Sequence, residues 1–157
     1  MTESIEDDTP RLAYLAGIID GEGTIYIRLA KPSGQLRLRL QVVNTNKTLM
    51  SWLTDNFCGH VNLNRRSGGH KDCYTWYESG DKAVALLKKV KPYLVIKAPQ
   101  TSLGIEAWDM RQPTPLVGRR SGISTELRAI RQSYVDAMHL LNKKGKEEGS
   151  LNEAWEA

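Results

Sequence analysis

Apolar residues at positions 12, 15, 16 and 19 follow helical spacing behind Thr9-Pro10, a pair that reads as an N-cap with proline at the first helical position. The helix is expected to stop at Gly21 and Gly23. The period then changes from 3.6 to 2: Ile25, Ile27 and Leu29 alternate with Thr24, Tyr26 and Arg28. After the turn residues Lys31-Pro32-Ser33-Gly34, Leu36, Leu38, Leu40 and Val42 alternate with Arg37, Arg39 and Gln41. These two runs predict a hairpin with one apolar and one basic face.

Thr45 or Asn46 can cap a helix over 47–57, with Leu49, Trp52 and Leu53 as its apolar stripe. Val61 and Leu63 open a further strand, Ser67-Gly68-Gly69 is a turn, and 73–78 closes a second hairpin that leaves Tyr74 and Trp76 to the core. A helix is predicted over 81–90 from Ala83, Val84, Leu86 and Leu87, followed by an extended 93–97 after Pro92 and a helix over 99–110. Beyond the loop prolines Pro113 and Pro115, Ser124 caps a last helix with Leu127, Ile130, Tyr134, Met138 and Leu141 on one face. The order α-β-β-α-β-β-α with added helices is an α+β fold on an antiparallel sheet.

Composition narrows the function. The 157 residues suit one domain, and the two cysteines, Cys58 and Cys73, are too few for an extracellular disulfide scaffold. No apolar run approaches the roughly 20 residues of a membrane span, and the acidic N-terminus is unlike a secretory signal, so an intracellular protein is expected, in a prokaryotic cytoplasm or an organelle matrix. The formal charge of +4 conceals a segregation. Residues 11–146 hold all 22 Lys and Arg but 10 Asp and Glu, a net +12, while the acids at 3, 6, 7 and 8 and at 147, 148, 153 and 156 sit in the ends. The expected organisation is an acidic tail (1–8), one folded domain (9–146) and a second acidic tail (147–157). A basic body suits a polyanion, because Lys and Arg contacts to phosphate drive affinity through counterion release.

The chemistry is concentrated in Leu15-Ala16-Gly17-Ile18-Ile19-Asp20-Gly21-Glu22-Gly23. Small residues one turn apart, Ala13, Ala16 and Gly17, allow a close approach of another helix, and the glycines allow a sharp exit. A carboxylate fixed at that exit can hold a hard cation. The nine residues closely resemble the signature of the LAGLIDADG homing endonuclease family, with Ile-Ile in its variable apolar pair and Gly-Glu where Ala-Asp is commoner. The likeness of element order covers 9–110.

The resemblance implies an αββαββα fold whose saddle-shaped antiparallel sheet lies in the DNA major groove, with extra helices at the C-terminal end. One copy of the motif implies a homodimer, its interface formed by Leu12, Ala13, Ala16, Gly17 and Asp20, with Glu22 of each subunit near the two-fold axis. It implies a site-specific, metal-dependent endonuclease that cuts both strands of a long, pseudo-palindromic duplex to leave short 3′ overhangs, encoded in an intron or freestanding. Glu22 and the carbonyl of Gly21 would hold Mg²⁺, with Mn²⁺ or Ca²⁺ as alternatives in the same site. Lys97, at the end of Pro92-Tyr93-Leu94-Val95-Ile96-Lys97, corresponds to the family's catalytic lysine. Asn46 corresponds to a polar residue, often Gln, that positions water; capping the following helix is the competing role. The DNA-binding set on the first hairpin is Thr24, Tyr26, Arg28, Lys31, Gln35, Arg37, Arg39 and Gln41, and on the second Asn62, Asn64, Arg66, Lys71, Cys73, Thr75 and Tyr77. Arg and Gln suit base edges because each can form paired hydrogen bonds.

Other readings compete. A non-catalytic nucleic-acid-binding protein on the same fold, an intron RNA maturase or a transcription regulator, shares every feature except the need for Glu22. Cys58, His60, His70 and Cys73 could be read as zinc ligands, though their spacing is unlike a tight knuckle. Glu106 and Asp109 are one helical turn apart and read as a solvated face.

Overall fold

A computed structural model describes residues 8–111 and 123–143. The chain runs α1 (Thr9–Glu22), β1 (Gly23–Leu29), β2 (Leu36–Asn44), α2 (Lys47–Phe57), β3 (His60–Asn64), β4 (Cys73–Ser79), α3 (Gly80–Val90), a 3-10 turn (Lys91–Tyr93), α4 (Ala98–Asp109) and α5 (Thr125–Lys143). The expected α-β-β-α-β-β-α order is present. Of the expected tails, residues 1–7 of the first and all of 147–157 lie outside the described residues, as do 144–146 of the expected domain.

The four strands form one antiparallel sheet in the order β1-β2-β4-β3. Period-2 alternation sends Ile25, Ile27, Leu36, Leu38, Leu40, Val42 and Trp76 to one face, where they are buried with Leu15, Ala16 and Ile19 of α1, Leu53 of α2 and Leu87 and Val90 of α3. Trp76 is the largest fully buried side chain, and its indole N–H donates to the carbonyl of Cys58 at 2.8 Å, so burial leaves no unpaired donor. The opposite face keeps Tyr26, Arg28, Arg37, Arg39, Gln41, Asn62, Asn64, Thr75 and Tyr77 partly or fully exposed.

Four local expectations shift. Thr9 already lies within α1, behind Asp8 and with Pro10 in the first turn, where a missing N–H costs no helical bond in either register. The segment before α4, expected to be extended over 93–97, is instead the end of a 3-10 turn followed by bends, with the N–H groups of 95–97 gathered by one carboxylate. On α5 the expected face holds at Met138, which is buried, and at the half-buried Leu127, Tyr134 and Leu141, but Ile130 is 53% exposed and its place is taken by the buried Arg131 and Val135. Arg131, 3% exposed, is drawn inward because its guanidinium donates to the Gly34 carbonyl at 2.9 Å. Ala16, expected at a subunit interface, is wholly buried in its own core, because it shares the stripe of Leu12, Leu15 and Ile19.

Candidate active site and nucleic-acid interface

The motif occupies the last two turns of α1 and the turn into β1. Gly23 is required there: a Cβ would lie 2.7 Å from both the Cα and the carbonyl oxygen of Ile19. This close exit brings three chemically distinct groups to one end of the sheet.

Asp20, half-buried, turns into its own chain. Its two carboxylate oxygens accept the N–H groups of Val95 at 2.9 Å, Ile96 at 3.0 Å and Lys97 at 2.8 Å, the residues that lead into α4. These are the N–H groups of the N-cap residue Lys97 and the two residues before it, so Asp20 fixes the path of the chain into α4 rather than capping its first turn. Lys97 is folded back by this arrangement. Its ammonium donates to the carbonyl of Gly23 at 2.6 Å and to that of Ile19 at 3.4 Å, at the negative end of the α1 dipole. Burial pushes its pKa below the ordinary lysine value, and the nearby Asp20 charge offsets part of that shift.

Glu22 is exposed at the end of α1, with one oxygen accepting from the side-chain amide of Asn44 at 3.1 Å. Asn44 in turn accepts the Asn46 N–H at 2.8 Å, an Asx turn that starts α2. The Asn46 side chain is the N-cap, accepting the Leu49 N–H at 3.1 Å, so the capping role is the one its geometry shows. Asn44 is the residue that sequence reasoning missed. As the last residue of β2 it gives no periodic signal; an Asx residue two before a helix cap is the sign that could have found it.

The donor set is all oxygen: one exposed carboxylate, and the Gly21 carbonyl in the final helical turn, where the i→i+4 ladder has run out. Among the described residues no three His, Cys, Asp or Glu side chains gather as a metal cage. This excludes the Cys58, His60, His70 and Cys73 zinc reading among those residues. It suits a cation such as Mg²⁺, which takes one or two carboxylates and fills its shell with water and phosphate oxygens. Glu106 and Asp109 are likewise separate, the first accepting from the Tyr134 hydroxyl and the second paired with Lys88 at 3.7 Å.

The sheet's polar face extends from this end. Thr24, Tyr26 and Arg28 on β1 and Arg37, Arg39 and Gln41 on β2 pair in register, which sets Arg28 directly opposite Arg37. Like charges in that position repel, a cost that an anion lying across them would remove. Lys31 and Gln35 are exposed in the hairpin turn. Asn62 and Asn64 on β3 stand opposite Thr75 and Cys73 of β4, and Asn64 donates to the Thr75 hydroxyl at 2.7 Å. Arg66 and Lys71 are exposed in the turn between these strands. Cys73 needs correction: alternation puts it on the same face as Thr75 and Tyr77, but at 4% exposure it offers nothing to a surface partner. A two-residue period gives a side chain's direction, not what covers it. No strand residue pointing to this face is acidic, whereas it includes three arginines.

No protein-family model and no curated protein matches the sequence. Solved structures do. The homing endonuclease I-CvuI, in complex with its target in the presence of Ca, is similar over 85% of this chain and 83% of its own, at 22% identity and a TM-score of 0.66. The archaeal intron-encoded homing endonuclease I-Vdi141I, complexed with DNA, is similar over 85% and 99%, at 14% identity and 0.55. The LAGLIDADG homing endonuclease I-SmaMI, bound to cleaved DNA, is similar over 79% of this chain but 48% of its own, at 17% identity and 0.54. Element order, sheet topology and these likenesses agree: this chain has the fold of the LAGLIDADG homing endonucleases.

Proposed function

We propose that the protein is a site-specific DNA endonuclease that makes metal-dependent double-strand breaks in a long, pseudo-palindromic duplex and acts as a homodimer. The observation that carries this reading is the pairing of an exposed carboxylate, Glu22, with a half-buried lysine, Lys97, around the last turn of α1, at one end of a basic sheet face. The DNA complexes formed by the similar proteins support the substrate class.

Each residue has a part. The sheet face binds the duplex, its arginines facing phosphates and its Arg, Gln and Asn side chains facing base edges. Glu22, with the Gly21 carbonyl, would hold Mg²⁺, and the Asn44 amide orients that carboxylate. The bound ion supplies charge neutralisation on the scissile phosphate and a water of lowered pKa. Lys97 adds positive charge next to the same phosphate. Asp20 fixes the backbone from which Lys97 projects, and so acts as a positioning residue.

One ligating carboxylate per chain suits a dimer that presents two, one for each strand. The exposed face of α1 supports this: Ala13, Gly17 and Gly21 follow one another at four-residue spacing, and Tyr14 beside them is 57% exposed. A Cβ at Gly17 or Gly21 would meet nothing within 4 Å, so the chain's own fold does not require glycine there; a second helix packed closely against α1 would.

The test is cleavage of a plasmid library bearing randomised inserts, with Mg²⁺, by the wild type and by Glu22→Gln. The wild type is expected to cut a related set of inserts, and the variant to bind the same inserts while cutting them about a hundredfold more slowly or less. If both proteins bind and neither cuts, the chain is instead a non-catalytic nucleic-acid-binding protein.

A further inference from the structure

Four flat groups form a line across the polar face, one from each strand and in the strands' spatial order: Tyr26, Arg39, Tyr77 and His60. The register explains the line. Tyr26 stands opposite Arg39, Tyr77 is the diagonal neighbour one pair along, and His60 is opposite Tyr77. The Arg39 guanidinium carbon lies 4.2 Å from the Tyr77 ring centroid and 5.9 Å from that of Tyr26. The His60 ring backs Tyr77 at 5.3 Å between centroids, with 34° between the planes.

This sets Arg39 apart from the other arginines of the face. Arg28 and Arg37 are exposed, repel each other and touch no ring among the described residues. Arg39 stands on a central strand, with its guanidinium carbon over the Tyr77 ring and within reach of that of Tyr26, and among the described residues its side chain makes no hydrogen bond or ion pair. Its N–H fork is therefore uncommitted while the Tyr77 ring, 4.2 Å away, restricts where the guanidinium can sit. A fork held in plane is the group that matches the two major-groove acceptors of guanine, O6 and N7. Arginines free to move suit phosphates, which tolerate many approach angles.

We propose that Arg39 is a specificity-determining residue that reads a guanine in each half of the target, with Tyr77, braced by His60, holding the guanidinium in its reading plane, and with Arg28 and Arg37 confined to phosphates. The proposal rests on the DNA reading above and adds which side chain discriminates.

The test selects from a randomised duplex DNA library with the wild type, Arg39→Ala, Arg39→Lys, Tyr77→Phe and Tyr77→Leu, then measures affinity for the selected duplex and its guanine-substituted versions over a range of salt. The wild type is expected to show one position per half-site dominated by guanine, with substitution there costing about tenfold to a hundredfold. Arg39→Ala and Arg39→Lys lose that preference and leave the other positions as they were. Tyr77→Phe keeps it, and Tyr77→Leu weakens it by about two- to fivefold. The proposal is overturned if Arg39→Ala weakens all duplexes equally and lowers the salt slope by about one while Arg39→Lys restores it, the behaviour of a phosphate contact. It is also overturned if the base profile is the same in every variant. A wild type that selects no sequence would instead remove the DNA reading itself, and this proposal with it.

Discussion

Asp20 and Glu22 are two residues apart, carry the same charge and have opposite environments. Asp20 spends both oxygens on three backbone N–H groups some 75 residues away, while Glu22 faces outward with one amide donor. Spacing in the motif makes both acids conspicuous, but it contains nothing about residues 95–97, so which acid is structural and which is presented depends on the folded chain. Lys97 is the counterpart. Its position before a helix was legible; its burial against the end of α1 was not. That burial has a measurable sign. The folded-state pKa lies below 10.5, so between the two values the unfolded chain binds more protons, and stability rises with pH until the penalty on the charged form is gone near 10.5. Urea denaturation at a series of alkaline pH values is expected to show this rise in the wild type and a flatter profile in Lys97→Met. A wild-type profile no steeper than the variant's would show that Lys97 is not held in a penalised charged state.

Among the elements, α5 shows how polar contacts can decide one position on an otherwise correctly placed helix face. Its periodicity allows Ile130 or Arg131 on the inner face, and hydrophobicity alone favours Ile130. The inner position goes to Arg131 because the β1–β2 turn presents carbonyls to it: Arg131 takes that of Gly34 and Arg128 that of Pro32, at 3.0 Å. Asn142 near the other end of the helix donates to the Ile25 carbonyl on the edge strand β1, also at 3.0 Å. The helix thus clasps the hairpin whose outer face carries Arg28 and Arg37. Gly34 is the tight point of this clasp, with φ at +69° and a Cβ that would sit 2.7 Å from the Ile123 side chain. Gly34→Ala is expected to lower stability by about 1–2 kcal/mol, from the left-handed conformation and the crowding of flexible side-chain ends. Chemical denaturation measures this; an unchanged midpoint would mean that the turn relaxes away from α5.

For the whole molecule, the relevant charge is that of the body rather than of the chain. The net +12 over 11–146 includes the basic residues of the sheet's polar face, and none of the acids lies among that face's outward strand residues. The proposed dimer has a direct test, because Gly17 lies in open space in the single chain. Gly17→Leu is expected to fold with equal or higher stability, by up to about 1 kcal/mol from helix propensity, yet to sediment at half the wild-type mass and lose cleavage. Equal masses for the two proteins by analytical ultracentrifugation would remove the α1 face as the interface. Element order, the two-faced first hairpin and the position of the motif were determined by the sequence itself, because hydrophobic period, turn residues and caps act over a few residues. The tertiary structure alone decided that Asp20 braces 95–97, that Asn44 hydrogen-bonds Glu22, that Ala16 and Cys73 are buried, and that the Arg39 guanidinium lies over the Tyr77 ring. Each of these depends on groups brought together from distant parts of the chain, whose partners local pattern does not encode.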